Sequence, residues 1–182
     1  EAVLIHQISK QRSQAPFRRT RKAGTSAMAV QCVCFHPTRP WLFVATQRYV
    51  RIYDLVQQAL VKTLQPGVRG ISSLDVHPSG DHVILGSYDR RVQWFDLDLA
   101  ERPYKTLRYH TRAVRAVAFH PHLPLFASAA DDGTVHVYHA TVYSDLLQNA
   151  LLVPLKILRG HAVQQALGVL SLAWHPSLPW LV

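Results

Sequence analysis

The sequence predicts an all-β fold built from a repeated unit of four short strands, and three observations carry that prediction. First, an apolar strand ending in His-Pro occurs four times: Val30 to His36-Pro37, Ile71 to His77-Pro78, Val114 to His120-Pro121 and Val169 to His175-Pro176. The histidines are 41, 43 and 55 residues apart. Second, each His-Pro is followed by a few turn-like residues and then by another apolar strand. Third, Pro and Gly recur too often for helical repeats, and the short segments alternate on a period of two, which suits a sheet.

The elements follow in order. The His-Pro strand comes first; Pro fixes φ in the turn after it and lacks an N–H that the turn does not use. The second strand is predicted over Trp41–Thr46, His82–Ser87, Leu125–Ser128 and Trp180–Val182. A third, rich in β-branched and aromatic residues, covers Val50–Asp54, Val92–Asp96 and Val135–His139. A weaker fourth strand covers Val61–Leu64, Lys105–Arg108 and Leu155–Leu158. Four strands per 40–45 residues is the arithmetic of a β-propeller. The expected organisation is one propeller part over 1–182. Residues 1–9 end a preceding blade, 10–29 form a basic arm or linker, and 30–64, 71–108, 114–158 and 169–182 are successive repeats, with an insertion at 139–154.

Repeat three carries a resemblance to the WD-repeat family. It runs Leu107-Arg-Tyr-His110, then Val114–Phe119, then Ala127-Ser128-Ala-Ala-Asp131-Asp132-Gly133-Thr134-Val135-His-Val-Tyr138. The resemblance implies a buried hydrogen-bond network of His110, Ser128, Asp132 and, at the family's Trp position, Tyr138. Arg159-Gly160-His161 supplies the Gly-His of repeat four. Repeat two keeps Asp89 but has no histidine in 65–70 and places Phe95 at the Trp position. Repeat one has Gln47-Arg48 where the Asp would stand.

A longer set of segments resembles the block-of-proliferation family of ribosome biogenesis proteins. They are Phe35-His-Pro with Pro40 to Arg48, Val83 to Asp89 with Trp94 to Leu99, Ala116 to Pro121, and Val142 to Asn149 with Leu152-Val-Pro154. The resemblance implies about four blades' worth of a seven-bladed ring, which would need about 290 residues at this repeat length. It also implies a non-catalytic scaffold in assembly of the large (60S) ribosomal subunit precursor and in pre-rRNA processing. The implied partners are a pescadillo-family protein, a second WD-repeat protein, the pre-60S particle and precursor rRNA, and the implied location is the nucleolus and nucleoplasm. The rival reading is a generic WD protein-interaction adaptor without RNA contact.

Charge adds an independent indication. The chain has 20 Lys/Arg against 11 Asp/Glu, a net +9. Nearly all the excess lies before Asp54, which points to a polyanionic partner. Lys10, Arg12, Arg18, Arg19, Arg21 and Lys22 cluster without an acid, and with Phe17 as the sole aromatic among them. That pattern favours phosphate contact over base stacking. No apolar run reaches the length of a membrane span, so no membrane partner is expected.

Other constellations are weaker. Cys32, Cys34 and His36 share a zinc-like alternation, but the corresponding positions of the other repeats hold no ligand set, so no metal and no cofactor are expected. His110, Ser128 and Asp132 have hydrolase residue types without a G-x-S-x-G elbow, and no catalytic residues are assigned. The insertion is apolar for a loop. Tyr143, Leu146, Leu147, Leu151 and Leu152 are candidate partner contacts, the equal alternative being that the segment folds back to cover its own blade, with 140–154 expected outside the regular sheet.

Overall fold

A computed structural model describes residues 29–143 and 150–182. The basic arm candidates Lys10 to Lys22, the strand expected at 1–9, and Leu146 and Leu147 lie outside the described residues. Among the described residues, twelve strands form three antiparallel four-stranded sheets, each a simple meander. The first holds β1 (Val30–Phe35), β2 (Trp41–Thr46), β3 (Val50–Asp54) and β4 (Ala59–Leu64). The second holds β5 (Ile71–Val76), β6 (His82–Ser87), β7 (Val92–Asp96) and β8 (Lys105–Leu107). The third holds β9 (Val114–Phe119), β10 (Leu125–Ala130), β11 (Thr134–Thr141) and β12 (Leu151–Arg159). This all-β arrangement of successive meanders is part of a propeller.

Sheets pack face to face, so the middle strands are covered on both sides. All six residues of β6 are buried, as are five of the six in β10. That double cover explains why these strands read as continuous apolar runs and not as alternating ones. Between the first two blades the core is built on Phe43, Ile52, Leu64, Ile71, Val83, Leu85 and Phe95. Between the second and third it is aromatic, with Trp94 edge-on to Phe119 at 5.3 Å and Phe126 stacked on Tyr138 at 4.5 Å.

Two sequence expectations change. Residues 169–182 form no strand ladder. They make an extended hairpin with one bridge, Trp174 to Leu181, and reciprocal Ala173–Val182 backbone bonds. Among the described residues no third strand pairs with this hairpin. Nor does 140–154 lie wholly outside the sheet. β11 runs on to Thr141 and β12 begins at Leu151, with Ala140 opposite Leu152 and Thr141 opposite Leu151. Extending an existing ladder satisfies backbone groups that an apolar loop would leave unpaired. Pro154 is accommodated because β12 is the sheet edge, and the register shifts at that point.

Candidate functional site

The chemistry-bearing residues gather at the two ends of the blades. The β1–β2, β5–β6 and β9–β10 turns, all His-Pro, lie at one end. The turns between second and third strands, and the β4–β5 and β8–β9 loops, lie at the other.

At the His-Pro end each of the four His-Pro histidines does the same work. Nδ1 of His36 accepts the N–H groups of Thr38 and Arg39 at 3.1 and 2.9 Å, and Nδ1 of His120 those of His122 and Leu123 at 3.1 and 2.9 Å. His175 repeats this with Ser177 and Leu178, and His77 with Ser79. An Nδ1 acceptor requires the neutral ring protonated at Nε2. Burial lowers the pKa of His36 and brings that of His77 down to about 4, which favours the neutral form.

At the other end, His110 sits in the β8–β9 loop, Ser128 on β10 and Asp132 in the β10–β11 turn. Ser128 Oγ donates to His110 Nε2 at 2.8 Å, and His110 Nδ1–H donates to Asp132 Oδ2 at 3.1 Å. Asp132 also accepts the Thr111 N–H at 2.9 Å, the Thr134 N–H at 3.0 Å and the Thr134 hydroxyl at 2.6 Å. Burial works against the Asp132 carboxylate, but the Thr134 hydroxyl and the two amides outweigh it and hold its pKa well below the ordinary range. For His110 burial wins over the Asp132 charge, and its pKa falls. The result is a neutral imidazole donating to an ionised carboxylate.

These distances match those of a serine hydrolase triad, but Ser128 is fully buried, and a substrate carbonyl cannot reach its Oγ. The trio instead ties the β8–β9 loop, the middle strand and the β10–β11 turn together. Tyr138 does not complete the network. Its hydroxyl lies near Ser128 without hydrogen-bond geometry, and burial pushes its pKa up to about 12. The cross-strand stack on Phe126 fixes the ring instead. In repeat two the network loses two members, since Leu85 stands in register where repeat three has Ser128 and no histidine precedes β5. There the Asp89 carboxylate accepts the Ser87 hydroxyl and pairs with Arg91, while the Asp89 N–H donates back to Ser87 Oγ at 3.1 Å.

The other sequence candidates fall as follows. Cys32 and Cys34 are half-buried, free thiols, and burial, with Cys34 beside the first and Asp75 beside the second, pushes both up to about 11. Among the described residues no group of three His, Cys, Asp or Glu side chains converges as a metal site. Tyr143 and Leu151 are exposed. Leu152 corrects the sequence expectation: it is 8% exposed and packs with Phe126, Tyr138 and Ala140, because the extended ladder turns it inward.

Sequence reasoning missed Asp75. Its Oδ2 accepts the Phe119 N–H at 2.7 Å, and Ser73 Oγ accepts the Val117 N–H at 3.2 Å. These side chains satisfy N–H groups that the edge strand β9 would otherwise leave open. The available signal was a pair of polar residues at i and i+2, Ser73 and Asp75, on a short inner strand.

Repeated four-strand meanders, His-Pro turns and a His-Ser-Asp cross-link define a WD-repeat propeller. The WD domain, G-beta repeat family matches residues 17–54, 58–96, 101–139 and 152–182, and the chain belongs to that family. The second matched unit begins before β4 and ends with β7, so the sequence repeat straddles two blades and ties them covalently. At the level of particular proteins, the chain is 89% identical over its whole length to the ribosome biogenesis protein ERB1 of Malassezia globosa. It is 61% identical over its whole length to the ribosome biogenesis protein erb1 of Schizosaccharomyces pombe, and 58% identical over 98% of its length to the ribosome biogenesis protein BOP1 of Rattus norvegicus. It covers 21%, 24% and 24% of these relatives, so it spans about a fifth to a quarter of their length. These relatives bear out the block-of-proliferation resemblance.

Proposed function

We propose that this chain forms part of the propeller of a non-catalytic scaffold that assembles the large ribosomal subunit precursor and supports pre-rRNA processing in the nucleolus and nucleoplasm. The observation that carries this reading is the 89% identity, over the whole of this chain, to a ribosome biogenesis protein. The burial of Ser128 supports a structural role for the His110 trio over catalysis. The proposed partners are a pescadillo-family protein, a second WD-repeat protein and precursor rRNA, within a seven-bladed ring. The basic arm, Lys10 to Lys22, is proposed to contact phosphates. The exposed Tyr143 and Leu151, with Leu146 and Leu147, are proposed to meet a protein partner.

Sedimentation tests the reading. The full-length protein is expected to travel with pre-60S particles and to leave them after ribonuclease treatment, and its depletion is expected to stall precursor rRNA cleavage. A protein absent from those fractions, but retained on protein partners after ribonuclease, would instead be the RNA-independent adaptor.

A further inference from the structure

The β8–β9 loop, 108–113, has no regular structure. Before the Ala113 carbonyl, which accepts the Asp131 N–H at 2.9 Å, its backbone and ring are held by the Asp132 carboxylate. That group accepts the Thr111 N–H at 2.9 Å and the His110 ring at 3.1 Å. The Thr111 hydroxyl reaches the same Asp132 oxygen at 3.5 Å and makes no other hydrogen bond among the described residues. Thr111 is exposed, and so are Arg108 before it and Arg112 after it. Neither arginine makes an ion pair or side-chain hydrogen bond among the described residues, so both guanidinium forks are free there.

An arginine three residues before a hydroxyl is the feature that arginine-directed serine/threonine kinases recognise, because acidic groups of the kinase cleft pair with the guanidinium fork. Among the described residues two hydroxyls have it: Ser72 after Arg69, and Thr111 after Arg108. Ser72 Oγ is buried and out of reach. The equivalent loop of repeat two has the same length between Leu64 and Ile71, but Gln65 and the buried Val68 stand at the places of Arg108 and Thr111. Repeat four has Ala162 after its histidine. Among the described repeats, the arginine, the reachable hydroxyl and the carboxylate clamp coincide in the third.

His110, between Arg108 and Thr111, is 5% exposed. A kinase takes its substrate as an extended strand, so the loop must first open and withdraw His110 from Ser128. A phosphate on Thr111 then opposes reclosure. It adds a charge of about −1.5 to −2 at neutral pH, on an oxygen that the closed loop holds 3.5 Å from the ionised Asp132 carboxylate. The free forks of Arg108 and Arg112 offer the phosphate a different set of partners.

We propose that Thr111 is a phosphorylation site for an arginine-directed serine/threonine kinase, and that the phosphate releases the β8–β9 loop from the His110 clamp. In the step, Thr111 Oγ1 attacks the γ-phosphorus of kinase-bound ATP. An O–P bond forms, the bond from that phosphorus to the β,γ-bridging oxygen breaks, and ADP leaves with the electron pair. The hydroxyl proton passes to the catalytic aspartate of the kinase. The loop exchanges a held state, on Asp132, for a released one with the phosphate on its own arginines. The switch stands whether or not the chain serves as a pre-ribosomal scaffold.

The test is incubation of the full-length protein with ATP, Mg²⁺ and cyclic-AMP-dependent protein kinase, an arginine-directed enzyme, with the phosphate located by mass spectrometry. Thr111 is expected to be modified, and Arg108→Gln to slow that modification about tenfold or more, the worth of one charge-assisted contact. Asp132→Asn weakens the clamp and is expected to speed it about fivefold or more. Amide hydrogen exchange over 108–113 is expected to rise about tenfold or more on phosphorylation, with the interiors of β9 and β10 unchanged. Thr111→Val keeps the backbone bond to Asp132, and is expected to take no phosphate at 111 and to exchange as wild type does. If the folded protein takes no phosphate at Thr111, whether or not a free peptide of residues 105–115 does, the site is overturned. If Arg108→Gln is modified as fast as wild type, recognition through Arg108 is overturned. If Thr111 is modified and exchange over 108–113 does not change, the release of the loop is overturned.

Discussion

Asp75 joins three blades through one carboxylate. Its Oδ2 accepts the Phe119 N–H of the third blade at 2.7 Å, and its Oδ1 faces Cys34 Sγ of the first at 3.8 Å. Among the described residues the blades have no ladder bonds between them, since each sheet pairs only its own four strands. Alignment of the inner strands therefore depends on side chains such as Asp75 and Ser73, together with the apolar cores between sheets.

Replacing Asp75 tests that relationship. Asp75→Ala leaves the Phe119 N–H without its acceptor and should destabilise by about 1–3 kcal/mol. Asp75→Asn retains a carbonyl oxygen and should cost less. Urea denaturation followed by tryptophan fluorescence measures both. Equal losses for the two variants would show that packing, and not the acceptor, matters at this position.

The His110 network predicts a contrast between repeats. Asp132→Ala removes the acceptor of His110, Thr111 and Thr134 and should cost about 1–3 kcal/mol. Asp89→Ala, at the equivalent turn of repeat two, loses only bonds within its own turn and an ion pair with Arg91, and should cost under about 1 kcal/mol. A double-mutant cycle of His110→Ala and Asp132→Ala should give a coupling of about 0.5–3 kcal/mol. Additive losses would mean that the two side chains act independently.

Much of this was legible in the sequence, for reasons particular residues show. Trp41–Thr46, His82–Ser87 and Val92–Asp96 fall where predicted, because β-branched and aromatic runs bounded by turn residues leave little choice. β12 starts at Leu151, four residues before the predicted strand, because pairing with the extension of β11 decides its start. Tyr138 stands at the family's Trp position, but its ring answers to Phe126 and its hydroxyl lies beside Ser128 without hydrogen-bond geometry. The arm is legible in sequence because Lys10, Arg12, Arg18, Arg19, Arg21 and Lys22 fall within thirteen residues.

Acid should weaken the fold through its histidines. His77 and His136 are brought down to about 4, in both cases chiefly by burial, and His36, His82 and His110 are also lowered. A histidine with a lowered folded pKa binds fewer protons folded than unfolded below its ordinary pKa near 6.5. Its neutral form thus contributes stability that is complete above about 6.5 and is lost as pH falls toward about 4. The urea midpoint should accordingly decline across that window. His136 faces the His110 ring at 4.1 Å, with Asp132 and Arg159 as its charged neighbours. Repeat two holds Gln93 at the equivalent place, where its amide donates to the Pro66 carbonyl at 2.9 Å. His136→Gln should therefore be tolerated at pH 7 and should flatten the decline. An unchanged acid slope in that variant would remove His136 from the account.

The extended β11–β12 hairpin makes adjacent leucines differ. Leu152 packs against Phe126, Tyr138 and Ala140, whereas Leu151, one residue earlier on the opposite face, is 47% exposed. Leu152→Ala removes buried methyl groups and leaves a cavity, so it should destabilise by about 2–5 kcal/mol. Leu151→Ala should stay within about 0.5 kcal/mol, as exposed substitutions do. Binding separates the pair the other way: a protein partner captured through the insertion should be weakened by Leu151→Ala in a fully folded protein. Leu152→Ala should act on capture only through loss of fold, with binding restored at lower temperature. Similar stability losses for both leucines would return Leu151 to the core, and residues 151–154 would then serve the blade alone.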